Sequence, residues 1–197
     1  MSRRLVYALI GLGLVAVVVI GLTQKKGSVA PNPNKIESQA PSRAEVAKAF
    51  KRAPPRLTAL HRQANRLIPG GHKELERQLA KLHGYPVVVN VWGSWCGPCR
   101  IEFPDFQQEA VRFGSRVAFL GVNAKDNRGD AKQFLRNFPV TYPSIEDPDE
   151  SVAHKVHAIG YPTTLFFDRN GKQRFIKQGN YFHVSDLAAD IRRYTGV

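Results

Sequence analysis

Residues Pro86–Trp92 read PVVVNVW, a β-branched run that does not alternate between apolar and polar. A strand with one face in water alternates with period two; this one requires apolar cover on both faces. Parallel strands joined through helices provide that cover, so the run calls for an α/β architecture with Pro86–Trp92 near its middle. The remaining periodicity agrees. Strand-like runs recur at Arg116–Asn123 and Thr163–Asp168, and Gln173–Gln178 follows the turn Arg169-Asn170-Gly171-Lys172, making the last two strands a hairpin. Helical stretches fall at Pro98–Phe113, Asp130–Asn137, Glu150–His157 and Ser185–Tyr194, the last with Ser185 as N-cap. Ahead of the central strand, Leu57, Leu60, Ala64 and Leu67 recur at helical spacing until Pro69-Gly70-Gly71. A second helix there sets Leu75, Leu79 and Leu82 on one face and ends at Gly84. The expected fold is α/β, a central mixed sheet flanked by helices.

The N-terminal part follows other rules. Leu5–Leu22 holds 18 residues without a charge, flanked by Arg3-Arg4 and Lys25-Lys26. As a helix it spans roughly 27 Å, close to the hydrocarbon thickness. The run exceeds a signal-peptide core, and the one small-residue exit, Ser28-Val29-Ala30, lies well past it. The expectation is an uncleaved transmembrane helix within residues 1–24, a linker over 25–56 rich in Pro and polar residues, and a domain over 57–197. The formal charge of +13 divides unevenly: residues 1–56 hold 10 Lys+Arg against 2 Asp+Glu, the remainder 19 against 14. In the domain the basic residues are scattered rather than interleaved with aromatics, which argues against a nucleic-acid partner.

The chain's 2 cysteines exclude a disulfide-stapled scaffold and a Cys₄ zinc site. Both lie in Trp95-Cys96-Gly97-Pro98-Cys99, where the central strand gives way to a helix. Near the N-cap of that helix, the Cys96 sulfur faces unpaired N–H groups and the positive end of the dipole, which favours the thiolate. Cys99, one turn further in, can attack a mixed disulfide on Cys96 and expel the partner. Pro98 suits the first turn, where its missing N–H costs nothing. A purely structural bridge closing four residues would remove little unfolded-chain entropy. A zinc site would need two more ligands, and nothing brings His154 or His157 near. No metal is expected, and no cofactor beyond the cysteine pair.

The segment VVVNVWGSWCGPCRIEFP resembles the active-site segment of the thioredoxin superfamily, and within it the membrane-anchored TlpA/ResA/DsbE-like branch. Supporting marks are Arg100, Glu102 and Pro104, and a second motif, Gly160-Tyr161-Pro162-Thr163-Thr164. The resemblance covers about residues 72–197 and implies a thioredoxin-like fold. It makes Pro162 a cis proline against the cysteine pair, Tyr161 a backbone partner for substrate, and Pro104 a kink in the active-site helix. The segment Ala124–Ser144 adds a helix that is typical of this branch, whereas Leu57–Ile68 matches no part of the family. Trp95, Gly97, Pro98, Tyr161 and Pro162 are the implied substrate-binding residues. One departure stands out: Asn90 occupies the position of a buried Asp, leaving Asn90 and Glu102 as the proton-handling candidates. Trp92 is expected in the core, with His61, His72, His83 and His183 as surface or packing residues.

The resemblance implies an extracytoplasmic thiol-disulfide oxidoreductase held in the cell membrane by a single span. Its partners would be protein thiols and disulfides such as those of apocytochrome c, with a membrane thiol carrier as electron donor. The alternatives are a disulfide-forming oxidase of the same fold, a thiol peroxidase, and a non-enzymatic redox-sensing binding module. A peroxidase would place Thr and Pro shortly before the reactive cysteine, and neither precedes Cys96 at close range.

Overall fold

The computed structural model describes residues 41–197. The proposed membrane span Leu5–Leu22, the exit site Ser28–Ala30 and residues 25–40 of the linker lie outside the described residues. Within the described residues, no helix is long and apolar enough to cross a membrane.

In chain order the elements are α1 (Arg43–Phe50), α2 (Pro55–His61), β1 (Leu67–Pro69), α3 (Gly71–Lys81), β2 (Val87–Trp92), α4 (Gly97–Phe113), β3 (Ala118–Ala124), α5 (Arg128–Asn137), β4 (Ser144–Asp147), α6 (Ser151–Lys155), β5 (Thr163–Phe167), β6 (Gln173–Gln178) and α7 (Val184–Thr195). The six strands form one sheet in the order β1-β4-β3-β2-β5-β6. Strands β1, β4, β3 and β2 run parallel, while β5 and β6 are antiparallel additions on the other side of β2. The mixed sheet follows from this, because the short turn Asp168–Lys172 can only return an antiparallel strand.

The β2 run explains itself in register. Val88 and Trp92 enter a core shared with Phe103 and Phe106 of α4, Phe134 of α5 and Leu187 of α7. Val87, Val89 and Val91 enter a second core on the opposite face with Leu57, Leu60 and Leu75. Both faces are therefore buried, and alternation is absent for that reason. At about 25 cal/mol per Å² of apolar surface, each such valine contributes roughly 1.5–3 kcal/mol.

The structure corrects several expectations. The helix of Leu57–Leu67 stops at His61, and Leu67–Pro69 is instead an edge strand paired with Ser144–Glu146. Three residues are too few to display a period, and Leu67, the fourth member of the helical pattern, is here a buried strand residue. Strand β4 is missing from the sequence expectation; its four residues include only one strongly apolar side chain, Ile145, and two acids. Ser185 does not cap α7: the helix begins at Val184 after His183, with no side-chain cap. The folded unit also starts before residue 57. Ser42 and Glu45 form a capping box that starts α1, and Phe50 stacks on the His61 ring at 3.6 Å. His61 itself is a packing residue, its Nε2 facing the Gly114 carbonyl at 2.9 Å and its Nδ1 that of Thr141 at 3.1 Å.

Candidate active site

Cys96 is the N-cap of α4, and its Sγ accepts a hydrogen bond from the Cys99 N–H at 3.2 Å. The two cysteines are joined as a disulfide, their Cα atoms 5.3 Å apart. A sulfur at this position satisfies one of the orphan amides of the helix start. Cys96 retains 3 % of its surface and Cys99 none, while the intervening Gly97 and Pro98 are exposed. The exposed surface beside Cys96 is thus the Gly-Pro turn, while Cys99 lies within the core.

Trp95 rims the pair and is 53 % exposed. Its Nε1 donates to the Lys125 carbonyl at 2.9 Å, and its ring stands edge-on to Tyr161, centroids 5.4 Å apart. The Tyr161–Pro162 peptide is cis. The Tyr161 hydroxyl donates to Glu150 Oε1 at 2.7 Å, and burial with this carboxylate neighbour pushes the phenol pKa well above its usual range. Lys125 closes the rim with its Nζ 3.6 Å from Glu150 Oε2. Gly93 permits the arrangement: a Cβ there would lie 2.6 Å from the Trp95 indole nitrogen.

Beneath the pair, the structure unites the two residues expected to handle protons. Glu102 lies one turn beyond Cys99 on the buried side of α4, fully covered. Its Oε1 accepts from Asn90 Nδ2 at 2.7 Å and its Oε2 from the Tyr181 N–H at 3.1 Å. Burial raises its pKa to about 7; the hydrogen bonds from Tyr181 and Asn90 oppose that rise without cancelling it. Asn90 Oδ1 and the neighbouring-strand Thr164 Oγ1 are buried without a hydrogen-bond partner among the described residues.

Sequence reasoning misses Asp126. Its carboxylate accepts from the Ser94 N–H at 2.6 Å, the Ser94 hydroxyl at 2.8 Å, Asn123 Nδ2 at 2.8 Å and the Asn127 N–H at 2.9 Å. It thereby ties the loop after β3 to the loop that carries Trp95 and Cys96. Nothing in a lone Asp 30 residues past Cys96 signals this; only the pairing of β2 with β3 brings their C-terminal loops together. Glu150 and Tyr181 are missed for the same reason.

Comparison with known proteins gives consistent neighbours. The AhpC/TSA family model matches residues 63–176. The thiol-disulfide oxidoreductase ResA of Bacillus subtilis is 31 % identical over 96 residues, which are 48 % of this chain and 54 % of that protein. The thiol:disulfide interchange protein DsbE of Pseudomonas fluorescens is 33 % identical over 105 residues, 53 % of this chain and 57 % of the relative. The chain thus spans little more than half the length of these relatives. A Chlorobium tepidum structure assigned to the DsbE thiol:disulfide interchange proteins superposes with a TM-score of 0.55 at 29 % identity, covering 59 % of this chain and 84 % of the other.

Proposed function

The chain belongs to the AhpC/TSA family, and on that premise we propose that it is a thiol-disulfide oxidoreductase of the ResA/DsbE type acting on protein substrates. The observation that carries this reading is the cysteine pair itself, Cys96 capping α4 and accepting from the Cys99 amide. That amide and the helix dipole stabilise negative charge on the Cys96 sulfur as it attacks or leaves.

The exchange balances as follows. In the reduced protein the Cys96 thiolate attacks one sulfur of a substrate disulfide, and the other substrate sulfur departs as a thiolate. Cys99 then loses its proton and attacks Cys96 Sγ. The substrate's second thiolate leaves, and the Cys96–Cys99 disulfide forms; two electrons have passed to the substrate. Glu102 is the group proposed to take the Cys99 proton, since a carboxyl with a pKa of about 7 is half ionised at neutral pH. Asn90 suits both of its states. As a donor its Nδ2 holds the carboxylate; with the amide turned, its Oδ1 accepts from the carboxyl.

Trp95, Gly97, Pro98, Tyr161 and Pro162 form the proposed substrate surface. Among the described residues neither the backbone N–H nor the C=O of Tyr161 meets a partner, so this residue is free to pair with an extended substrate segment. The wider reading is a reductase in cytochrome c maturation, with apocytochrome c cysteines as substrate and a membrane thiol carrier as donor. It includes a domain outside the cytoplasm, where partner disulfides persist, tethered by a span within residues 1–24. No cofactor beyond the cysteine pair is required.

The test is turnover of a protein disulfide with a thiol reductant. Cys96→Ser should abolish it, and Cys99→Ser should accumulate mixed disulfides. First alkylation of Cys99 in the reduced native protein would reverse the assigned roles. Consumption of peroxide in place of disulfide would replace the reading with a peroxidase. The potential of the pair sorts reductase from oxidase, a tenfold change in equilibrium being about 30 mV.

A further inference from the structure

Helix α4 has the disulfide at its start and a cluster of arginines at its end. The guanidinium groups of Arg112, Arg116 and Arg192 lie 5.3, 5.6 and 5.4 Å from the centroid of one ring, that of Phe113. Arg193, next in the chain, lies instead over the Tyr194 ring at 5.5 Å. All four arginines are exposed. Their internal satisfaction is slight. Arg112 Nη1 lies 3.5 Å from Glu109, whose carboxylate is buried. Arg192 donates once, to the Ala188 carbonyl at 3.3 Å, and shares with Arg112 the attraction of the single Glu109 carboxylate. Arg116 and Arg193 meet no side-chain acceptor among the described residues. Helix α1 adds to the same pole: Phe50 packs on Gly114, where a Cβ would come within 2.7 Å of its ring, and Lys48, Lys51 and Arg52 lie within two residues of it in the chain.

Positive charges converge on one surface only at a cost, unless an anion covers them. Most of the donors here point at nothing in the protein. A guanidinium fork suits phosphate oxygens. The ring at the centre is itself 2 % exposed, so it cannot stack a nucleobase; that removes the aromatic half of a single-stranded nucleic-acid site. Ahead of α1 the chain carries the 18-residue uncharged run Leu5–Leu22.

We infer that the C-terminal pole of α4, with Arg112, Arg116 and Arg192, docks on the phosphate headgroups of anionic phospholipids. This rests on the membrane-tethered reading above. The 17-residue helix is roughly 25 Å long, so docking by this pole carries the disulfide about that far from the lipid surface. Tethering alone would leave the domain free to tumble at the surface. The arginines would restrict it to orientations with the Trp95–Tyr161 rim facing outward.

The experiment uses the full chain in vesicles of phosphatidylcholine, with or without phosphatidylglycerol. Arginine modification by phenylglyoxal is followed peptide by peptide. Arg112, Arg116 and Arg192 should react about fivefold more slowly or less when phosphatidylglycerol is present, the effect of roughly one headgroup contact per arginine. The protection should vanish at high salt, and exposed Arg77 on α3 should not change. Equal rates in both vesicles, with the chain floating with each, would overturn docking while leaving the tether intact. Failure to float with phosphatidylcholine alone would overturn the tether. In that case salt-reversible flotation gained with phosphatidylglycerol supports docking, and its absence overturns it. Equal protection of these arginines by duplex DNA would assign the pole to nucleic acid instead.

Discussion

At the residue scale the site turns on one hydrogen bond, Asn90 Nδ2 to Glu102 Oε1, buried below Cys99. An amide meets a carboxyl in either protonation state, and a second carboxyl does not. In Asn90→Asp two carboxyl groups would lie at hydrogen-bond distance in a dry core and share one proton. The first ionisation of such a pair falls and the second rises. The expected outcome is a domain less stable by about 1–3 kcal/mol at neutral pH, because a buried partner is lost and a second charge must be suppressed. The release step should also change. A base would be present under Cys99 below pH 7, so release of a preformed Cys96 mixed disulfide should speed up on the acid side and its inflection should move to lower pH. Stopped-flow release measured against pH in both variants checks this. Superimposable profiles would leave Asn90 as packing only.

At the element scale the loops that bear the site are held by their neighbours more than by their own sequences. Asp126 collects four donors, two of them from Ser94, one residue before Trp95. In Asp126→Asn one acceptor oxygen becomes a donor, and some of those hydrogens face it. Hydrogen bonds to a charged group contribute about 1.5–3 kcal/mol each. The Ser94 amide should therefore exchange with solvent about tenfold faster or more, and disulfide exchange should slow while the sheet amides keep their protection. Equal Ser94 exchange would mean that the Trp95–Lys125 contact alone orders the loop.

Elements of this kind divide the sequence into legible and illegible parts. The central strand, the hairpin β5–β6 and the long helix α4 are legible because burial on both faces, a turn with Gly171, and a cysteine pair at a strand end each leave a local mark. The short strands β1, at the sheet edge, and β4, between β1 and β3, leave none. Leu67–Pro69 is three residues long, and Ser144–Asp147 owes its place to pairing on both sides rather than to its own apolar content. The cysteines, Trp95, Tyr161 and Pro162 can be named from the sequence. Their supports Asp126, Glu150 and Tyr181 cannot, since each reaches the site through a turn that topology, not spacing, brings close.

At the scale of the whole molecule, Glu102 links stability to pH. Its pKa is 4.5 in an ordinary environment and about 7 in the folded protein. Below pH 4.5 the group is protonated in both the folded and the unfolded chain, and it contributes no pH dependence. Between 4.5 and 7 the unfolded chain releases the proton and the folded one retains it. The free energy of unfolding therefore falls as pH rises, and the fold loses stability. Above 7 both forms are ionised and the loss is complete. A shift of this size corresponds to roughly 3 kcal/mol, a large share of a typical domain's stability. Glu102→Gln removes the ionisation. Its amide keeps an acceptor for Asn90 but turns a donor toward the Tyr181 N–H, so the variant starts lower by about 1–3 kcal/mol at acid pH. The slope is the discriminating quantity. Denaturant midpoints of the oxidised protein should decline from pH 4.5 to 7, and those of Glu102→Gln should decline much less. Parallel declines would assign the pH dependence to other groups and withdraw Glu102 as the base for Cys99. A flat variant whose mixed-disulfide release has also lost its inflection near pH 7 would tie the stability cost and the proton transfer to the same buried carboxyl.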